Sequence, residues 1–231
     1  MKYKKIGIIC AMEKEAKKIL SHLLDRTEEP IGSLTFYRGF LGEKEVILSV
    51  CGIGKVFAAM CAQTMILRFA PECIINSGVA GSLSAALEIL DVAVSENLVQ
   101  HDMDTSLLGD PVGMISGINK VYLPASPDLV AEVEEKAKRL GIRAVRGTVA
   151  TGDQFIGDPV KKEKLRSDFS PIACEMEGGA IAQVAYVNRV PFCAIRAISD
   201  SFRGNSGMEY SQFAEKASDQ GAELLLSLLE E

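Results

Sequence analysis

The sequence predicts an α/β fold of three layers. A central mixed, mainly parallel, twisted sheet, partly curled to a barrel, is flanked by helices. Three observations predict it. Apolar runs of strand length alternate with segments of helical spacing along the whole chain, the pattern of strands and helices around a parallel sheet. Roughly eight such runs are long enough to be strands, which lets part of the sheet curl. Carboxylates collect where these runs end, and the carboxyl ends of strands are where α/β sheets place their chemistry. At 231 residues and 48% hydrophobic, with no linker, repeat or low-complexity tract, the chain reads as a single domain, 1–231.

Each element has its own signal. Ile6 to Cys10 is an unbroken apolar run and reads as a buried strand. Met12 to Leu24 carries apolar residues at helical spacing. Phe36 to Leu41 and Val46 to Val50 read as paired strands around a Gly42-Glu43-Lys44 turn. Gly52-Ile53-Gly54-Lys55 opens a helix to about Ala70. Cys73 to Asn76 reads as a short strand ending in a glycine loop, Ser77 to Ser82, with another strand over Asp91 to Val99. Ala125 to Leu140 is a helix with Ser126-Pro127-Asp128 at its start and Gly141 at its end. Strands follow at Val145 to Thr151, Ile172 to Cys174 and Phe192 to Ser199. Helices are expected over Pro159 to Ser167, Glu177 to Val187 and Met208 to Leu229. The stretch Asp102 to Lys120 is polar, Gly-rich and aperiodic, and loops of that length are usually functional or at interfaces.

Composition narrows the function classes. Net charge is -6, and the one dense basic run, Lys2 to Lys5, is too short for a nucleic-acid surface. A neutral or zwitterionic small molecule is the expected partner. The six cysteines form no C-x-x-C pair and mostly lie in apolar runs, so they read as core thiols in a reducing compartment. Two histidines leave little for an imidazole metal cluster. The basic and apolar start ends at Glu13-Lys14-Glu15 without a small-residue cleavage site, so a first strand is expected there. The longest apolar helix, Val56 to Leu67, is too short to span a bilayer. A cytoplasmic protein is expected, with no membrane partner.

The chemistry-bearing candidates are acids. Glu13 and Glu15 follow the first strand, Glu175 and Glu177 follow the short strand before the fifth helix, and Asp200 ends the last strand. Gathered on one rim, they suggest acid/base cleavage with no metal and no covalent cofactor. Each alone also fits a structural role. Glu13, Glu15, Glu175 and Glu177 suit helix N-termini, and Asp200 suits an ordinary cap. The glycine segments 52–55 and 78–81 match neither a Walker A loop nor a dinucleotide fingerprint. They fit tight turns, or a backbone that approaches a ligand closely.

The motifs Ala11-Met12-Glu13-Lys14-Glu15, Gly52-Ile53-Gly54-Lys55-Val56, Ile74 to Gly78, Thr151 to Ile156, Glu175-Met176-Glu177-Gly178 and Arg196-Ala197-Ile198-Ser199-Asp200 occur in that order. Together they resemble the methylthioadenosine/S-adenosylhomocysteine nucleosidases of the nucleoside phosphorylase superfamily. The resemblance implies hydrolysis of an N-glycosidic bond without a cofactor. By it, Asp200 is the general acid to N7 of adenine, supported by Ser199. Glu15 holds the attacking water, and Arg196 completes the catalytic set. Glu177, next to Glu175, grips the ribose hydroxyls, and Met176 lies against the sugar. Phe155 stacks on the base, whose edge the backbone of Ile156 reads. Met12, Ile53, Tyr210 and Phe213 shape the apolar region around the ribose and 5′ thioether. The resemblance also implies a homodimer in which the loop 102–120, around Thr105 to Leu108, closes the partner's 5′ pocket. The chain departs from the family at Val79, where many relatives carry Ser or Thr, and at Leu108, where an aromatic is common. Gly178-Gly179 implies a looser helix start than usual.

Two rival readings also fit the sequence. A phosphorylase needs cations converging on phosphate, yet Ser77 to Ser82 holds no Arg or Lys and the early loop offers Glu13 and Glu15. A non-catalytic nucleoside-binding protein has no need for Glu15 and Asp200 together. Among hydrolases, the sequence leaves futalosine and 5′-deoxyadenosine open as substrates.

Overall fold

The computed structural model of the chain describes residues 1–230. Ten strands and six α-helices follow one another as β1 (Lys5–Cys10), α1 (Glu13–His22), β2 (Leu24–Ile31), β3 (Leu34–Leu41), β4 (Lys44–Val50), α2 (Lys55–Phe69), β5 (Cys73–Ser82), β6 (Val92–Gln100), β7 (Tyr122–Pro124), α3 (Pro127–Leu140), β8 (Ala144–Thr151), α4 (Pro159–Phe169), β9 (Ala173–Glu175), α5 (Gly178–Asn188), β10 (Phe192–Asp200) and α6 (Ser206–Leu229). All strands join one sheet in the order β10-β6-β8-β9-β5-β1-β4-β3-β2, with β7 on β6. Because β10 also pairs with β5, strands β5, β10, β6, β8 and β9 close on themselves as a five-stranded barrel. Strands β1, β4, β3 and β2 extend from β5 as an open wing, and β7 lies beside β6.

The pairings are evenly mixed among the described residues. Five are parallel and five antiparallel. Parallel pairs occupy the interior, where β1, β5 and β10 run side by side. The antiparallel pairs are the β2-β3-β4 meander, short β7 and β9, and the β10–β6 seam that helps close the barrel.

Alternation along the strands builds the layers. Ile6, Ile8 and Cys10 of β1, with Val46 and Leu48 of β4, point into a core covered by residues of α1, α3 and α6. Their neighbours Ile9 and Ile47 point the other way, into a core covered by α2 and α5. A smaller cluster under α4 joins Leu83, Val99, Ala150, Leu165 and Phe169 at the barrel end. All six cysteines are buried and free. No helix among the described residues is long and apolar enough to cross a membrane.

The structure departs from the sequence expectation in several places: the first helix ends at His22, short β7 is not among the expected strands, and two further segments differ. The segment Leu24–Ile31 is a strand with no signal in the sequence. It is an almost wholly exposed edge strand, Leu-Asp-Arg-Thr-Glu-Glu-Pro-Ile, so its polarity hides it. Charges and an edge proline are how such strands avoid pairing with other chains. Residues Ser77 to Ser82 form the second half of β5, not a loop, because β10 and β9 pair with them. The β10 register slips between Ile198 and Asp200, a bulge of the kind that re-aims a side chain at a barrel rim. Helix α3 starts at Ser126 as expected, but the Ser126 side chain makes no cap hydrogen bond; Pro127 and Asp128 carry that start.

Ile8 lies at the centre of this arrangement, fully buried between β4 and β5. Ile8→Ala is expected to lower unfolding free energy by about 3 kcal/mol. Urea unfolding followed by far-UV circular dichroism measures this, and a loss below about 1 kcal/mol would contradict the packing described.

Candidate active site

The carboxyl ends of β1, β5, β9 and β10 meet around a cavity of about 380 Å³. It is lined by Met12, Glu15, Ile53, Val79, Phe155, Glu175, Met176, Glu177, Ser199, Asp200 and Tyr210, with Ala11, Ala80, Gly81 and Cys174. No Lys or Arg is among these residues. A recess of about 30 Å³ continues past Gly81 and Asp200 to Gln154 and Ile156. Among the described residues, no group of three or more His, Cys, Asp or Glu side chains has the placement to hold a metal ion.

Glu15 and Glu13 separate cleanly. Glu13 is the first residue of α1 and exposed, as its helix-end reading expects. Glu15 is 2% exposed. The turn from β1 into α1 folds its carboxylate back on its own backbone. Oε2 accepts the N–H groups of Ala11 and Met12, each at 2.9 Å, and Oε1 accepts that of Val79 at 3.0 Å. Burial raises its pKa, against the pull of Arg196 and of these N–H donors.

Glu175 and Glu177, two residues apart, have different tasks. Glu175 caps α5: its Oε2 accepts the N–H groups of Glu177 at 3.0 Å and Gly178 at 2.6 Å. The Thr151 hydroxyl donates to Glu175 Oε1 and accepts the Gly179 N–H at 2.7 Å. Glu175 lines the cavity, but its oxygens are engaged by the protein. Glu177 makes no cap bond. Its Oε1 accepts the Gly54 N–H at 2.9 Å. Gly54 has φ of 100°, a left-handed conformation that glycine adopts without strain. Burial, then the neighbouring carboxylates Glu175 and Glu15, push the Glu177 carboxyl up, while Arg196 opposes them.

Arg196, expected with the catalytic set, does not line the cavity. It lies behind it at 1% exposure. Its Nη2 bonds Asn76 Oδ1 and Glu175 Oε2 and stands 3.5 Å from Glu177 Oε2. Asn76 is anchored in turn by donating to the Ile9 carbonyl at 2.9 Å. Sequence reasoning missed Asn76, although its place inside a buried apolar strand was a signal that it has a partner.

Asp200 follows the bulge in β10. Ser199 Oγ donates to its Oδ1 at 2.9 Å, and its Oδ2 has no hydrogen-bond partner. Burial raises its pKa, while Ser206, Ser199 and Lys162 favour the charged form. Phe155 is half exposed and meets Tyr210 edge-on, with ring centroids 5.6 Å apart. Tyr210 donates to Met12 Sδ at 3.4 Å and accepts from Lys14 Nζ at 3.0 Å.

The structure does not bring together every expected residue. Phe213, one turn along α6 from Tyr210, is partly buried but is not among the lining residues. Ile156 faces the recess, not the main cavity. Leu108 sits on a 3₁₀ turn, Ser106–Leu108, and is 84% exposed, away from this chain's own cavity. Gly178 and Gly179 are not loose. A Cβ on Gly178 would lie 2.8 Å from Leu98 Cδ2, and one on Gly179 2.9 Å from the Thr151 side chain. Their lack of side chains lets α5 press against β6 and β8.

The β5 glycines lie within a strand and not in a tight turn. A Cβ on Gly78 would run into the Arg196 guanidinium and lie 2.6 Å from Glu15 Oε1; one on Gly81 would lie 2.8 Å from Asp200 Oδ2. They clear space for the charged side chains. Gly78→Ala is therefore expected to displace Glu15 or Arg196 and to weaken binding of any cavity ligand at least tenfold. Isothermal titration before and after the substitution checks this, and unchanged binding would contradict it.

Comparison with known proteins gives the family and the overall fold. A family model described as the phosphorylase superfamily matches residues 5–230. A 5′-methylthioadenosine/S-adenosylhomocysteine nucleosidase of Shewanella pealeana is 37% identical, covering 98% of this chain and 99% of that protein. The nucleosidase of the same name from Helicobacter pylori superimposes with a TM-score of 0.94 at 37% identity, over 100% of this chain and 99% of the other. A structure described as futalosine hydrolase of Helicobacter pylori gives the same TM-score, 0.94, and identity, 37%, covering 99% of this chain and 98% of that one.

Proposed function

The chain belongs to the phosphorylase superfamily, and we propose that within it this protein is an N-glycosyl hydrolase that releases adenine from 5′-methylthioadenosine and S-adenosylhomocysteine. The observation that carries the reading is a cavity with Glu15 on one side, Asp200 on another and no lining cation. A phosphorylase needs positive charge where its phosphate sits. The Arg196 guanidinium behind the cavity is buried and committed to Glu175, Glu177 and Asn76. Water suits such a pocket as the nucleophile. Relatives named for this activity support the same choice.

In the proposed reaction, Asp200 donates its proton from Oδ2 to N7 of the base. The electron pair of the C1′–N9 bond leaves with adenine, and positive charge builds on the ribose. Glu177, when ionised, favours that charge and holds the ribose hydroxyls. Water held by Glu15 adds to C1′ and gives a proton to the Glu15 carboxylate; after product release Glu15 loses that proton to solvent and Asp200 regains one from it. Burial helps the assignment of Asp200, because a raised pKa keeps it protonated at higher pH. Phe155 stacks on the base, and Gln154 and Ile156 border its edge. Met176 lies under the sugar, and Met12, Ile53 and Tyr210 receive the 5′ substituent. Arg196 acts here as a positioning residue.

Assembly as a homodimer is part of the proposal. Leu107 and Leu108 are exposed, as are Val56, Phe57 and Met60 on α2. Lys55, at the start of α2, ion-pairs Asp102 at 2.6 Å and ties the two regions together. An apolar surface of this kind fits a second copy whose loop 102–120 covers the 5′ end of the cavity. Light scattering is expected to give twice the chain mass; a monomer that turns over substrate at full rate would remove this part of the reading.

A second substrate reading has its own support. One neighbour at the same similarity is described as futalosine hydrolase. Side-by-side turnover of 5′-methylthioadenosine, S-adenosylhomocysteine, 5′-deoxyadenosine and futalosine, with the free base measured by reverse-phase chromatography, separates the possibilities. The two thio-nucleosides are expected to be cleaved in phosphate-free buffer. A strong preference for futalosine would overturn the substrate assignment.

Asp200→Asn and Glu15→Gln are each expected to lower kcat at least roughly a hundredfold, the usual scale for a general acid or base. Glu13→Gln should remain within about threefold of the parent, since its carboxylate is solvated at a helix end. The pH profile of kcat should be a bell. Its rising limb follows ionisation of Glu15 and Glu177, both held up by burial, and its falling limb loss of the proton from Asp200. Equal damage from Glu13→Gln and Glu15→Gln would contradict the assignment of the water-holding acid.

A further inference from the structure

Lys162 is 1% exposed, in the first turn of α4. Nothing in its sequence context marks it: Lys161-Lys162-Glu163-Lys164 reads as a solvated helix face. A buried ammonium is costly unless it is paired and hydrogen-bonded. Here Nζ donates to the Ser201 carbonyl at 2.7 Å and the Phe202 carbonyl at 3.4 Å. It also stands 3.9 Å from Asp200 Oδ2, with both side chains 2% exposed. That oxygen is buried and lacks a hydrogen-bond partner, and Asp200 itself lines both the cavity and its recess.

We propose that Lys162 is a positioning residue for Asp200, fixing the chain just after it and stabilising the carboxylate it becomes on giving up its proton. The inference rests on the reading of Asp200 as the proton donor. A cation at this distance does not take the proton's place; it lies near enough to act through its charge and leaves Oδ2 free for a ligand. The two carbonyl bonds hold the ammonium there and pin Ser201 and Phe202 at the same time. Glu209 of α6 secures the same turn from the other side, accepting the Ser201 N–H at 2.7 Å.

The other groups around Asp200 make the role of Lys162 distinct. Ser199 and Ser206 are neutral, Glu209 opposes ionisation of Asp200, and the Cys174 thiol on β9 is itself pushed up to about 12 by burial. Lys162 is the one cation in this set. It offsets the burial that holds Asp200 in its acid form and so makes Asp200 a more willing donor.

The test uses Lys162→Gln, which removes the charge while keeping a donor for the carbonyls, and Lys162→Arg, which keeps the charge. Two readouts are needed. The first is the pH dependence of kcat for adenine release from 5′-methylthioadenosine. The second is titration of the Asp200 carboxyl by carbon-13 NMR in the free protein, which does not require turnover. Lys162→Gln is expected to lower the plateau kcat roughly tenfold or more, and to move both the falling limb and the carboxyl titration upward by about one pH unit. Lys162→Arg should restore both titrations. Activity loss with an unmoved carboxyl titration would show a purely structural lysine and overturn the inference. A Gln variant that does not fold leaves the Arg variant to decide: its carboxyl titration must match the parent, and an upward shift would also overturn it. Failure of the parent protein to release adenine would instead count against the proposed function, and the carboxyl titration would still decide the electrostatic role.

Discussion

Arg196 is buried against carboxylates that are buried themselves, and the rest of the site is arranged around that charge balance. Glu175 and Glu177 are ion-paired with it, and Glu15 lies close enough for its ionisation to feel the guanidinium. Three carboxylates brought together in low dielectric would repel and take up protons. One fixed cation, held by Asn76 and Glu175, lets them share a pocket. Removing it would leave uncompensated buried charge, which typically costs about 3–5 kcal/mol. Its place on the cavity's far side is as important as its charge. A guanidinium open to the cavity would invite an anion; one buried behind it and ion-paired with Glu175 and Glu177 does not.

The backbone is shaped to permit this balance. Gly78 and Gly81 on β5 leave the volume that Arg196, Glu15 and Asp200 fill. The β10 bulge turns Asp200 away from the regular register, and Gly54 bends so that its N–H reaches Glu177. Closing five strands into a barrel brings the end of β9 against β5 and the end of β5 against β10. Acids that are far apart in sequence thereby share one rim. Away from Arg196, Asp200 lies in a second electrostatic setting, with Lys162 as its cation. Separate partners allow one acid to stay protonated while another on the same cavity is ionised, as opposing acid and base roles require.

Much of this was legible in the chain because local chemistry and tertiary structure agree. Proline and acid residues mark the starts of α3 and α4, and Gly141 ends α3 in a left-handed conformation. Apolar runs such as Ile6 to Cys10 mark buried strands. The site acids stood out because carboxylates interrupt those runs at their ends. What stayed hidden depends on contacts between distant segments. The exposed, polar β2 has no burial pattern to reveal it. Ser77 to Ser82 looks like a glycine loop until β10 and β9 pair with it. Spacing alone does not tell Glu13 from Glu15, since both sit in one helical turn; the fold-back of Glu15 onto three backbone N–H groups distinguishes them. Lys162 is one of several lysines in α4, and only the packing of that helix on the barrel end buries it.

The central claim is that water held by Glu15, and not phosphate, takes the place of the departing base. Turnover of 5′-methylthioadenosine in oxygen-18 water containing excess phosphate tests it most directly, with the sugar product analysed by mass spectrometry as it forms. The expected product is methylthioribose carrying oxygen-18 at C1, with no sugar phosphate. Methylthioribose 1-phosphate as the main product would contradict the account.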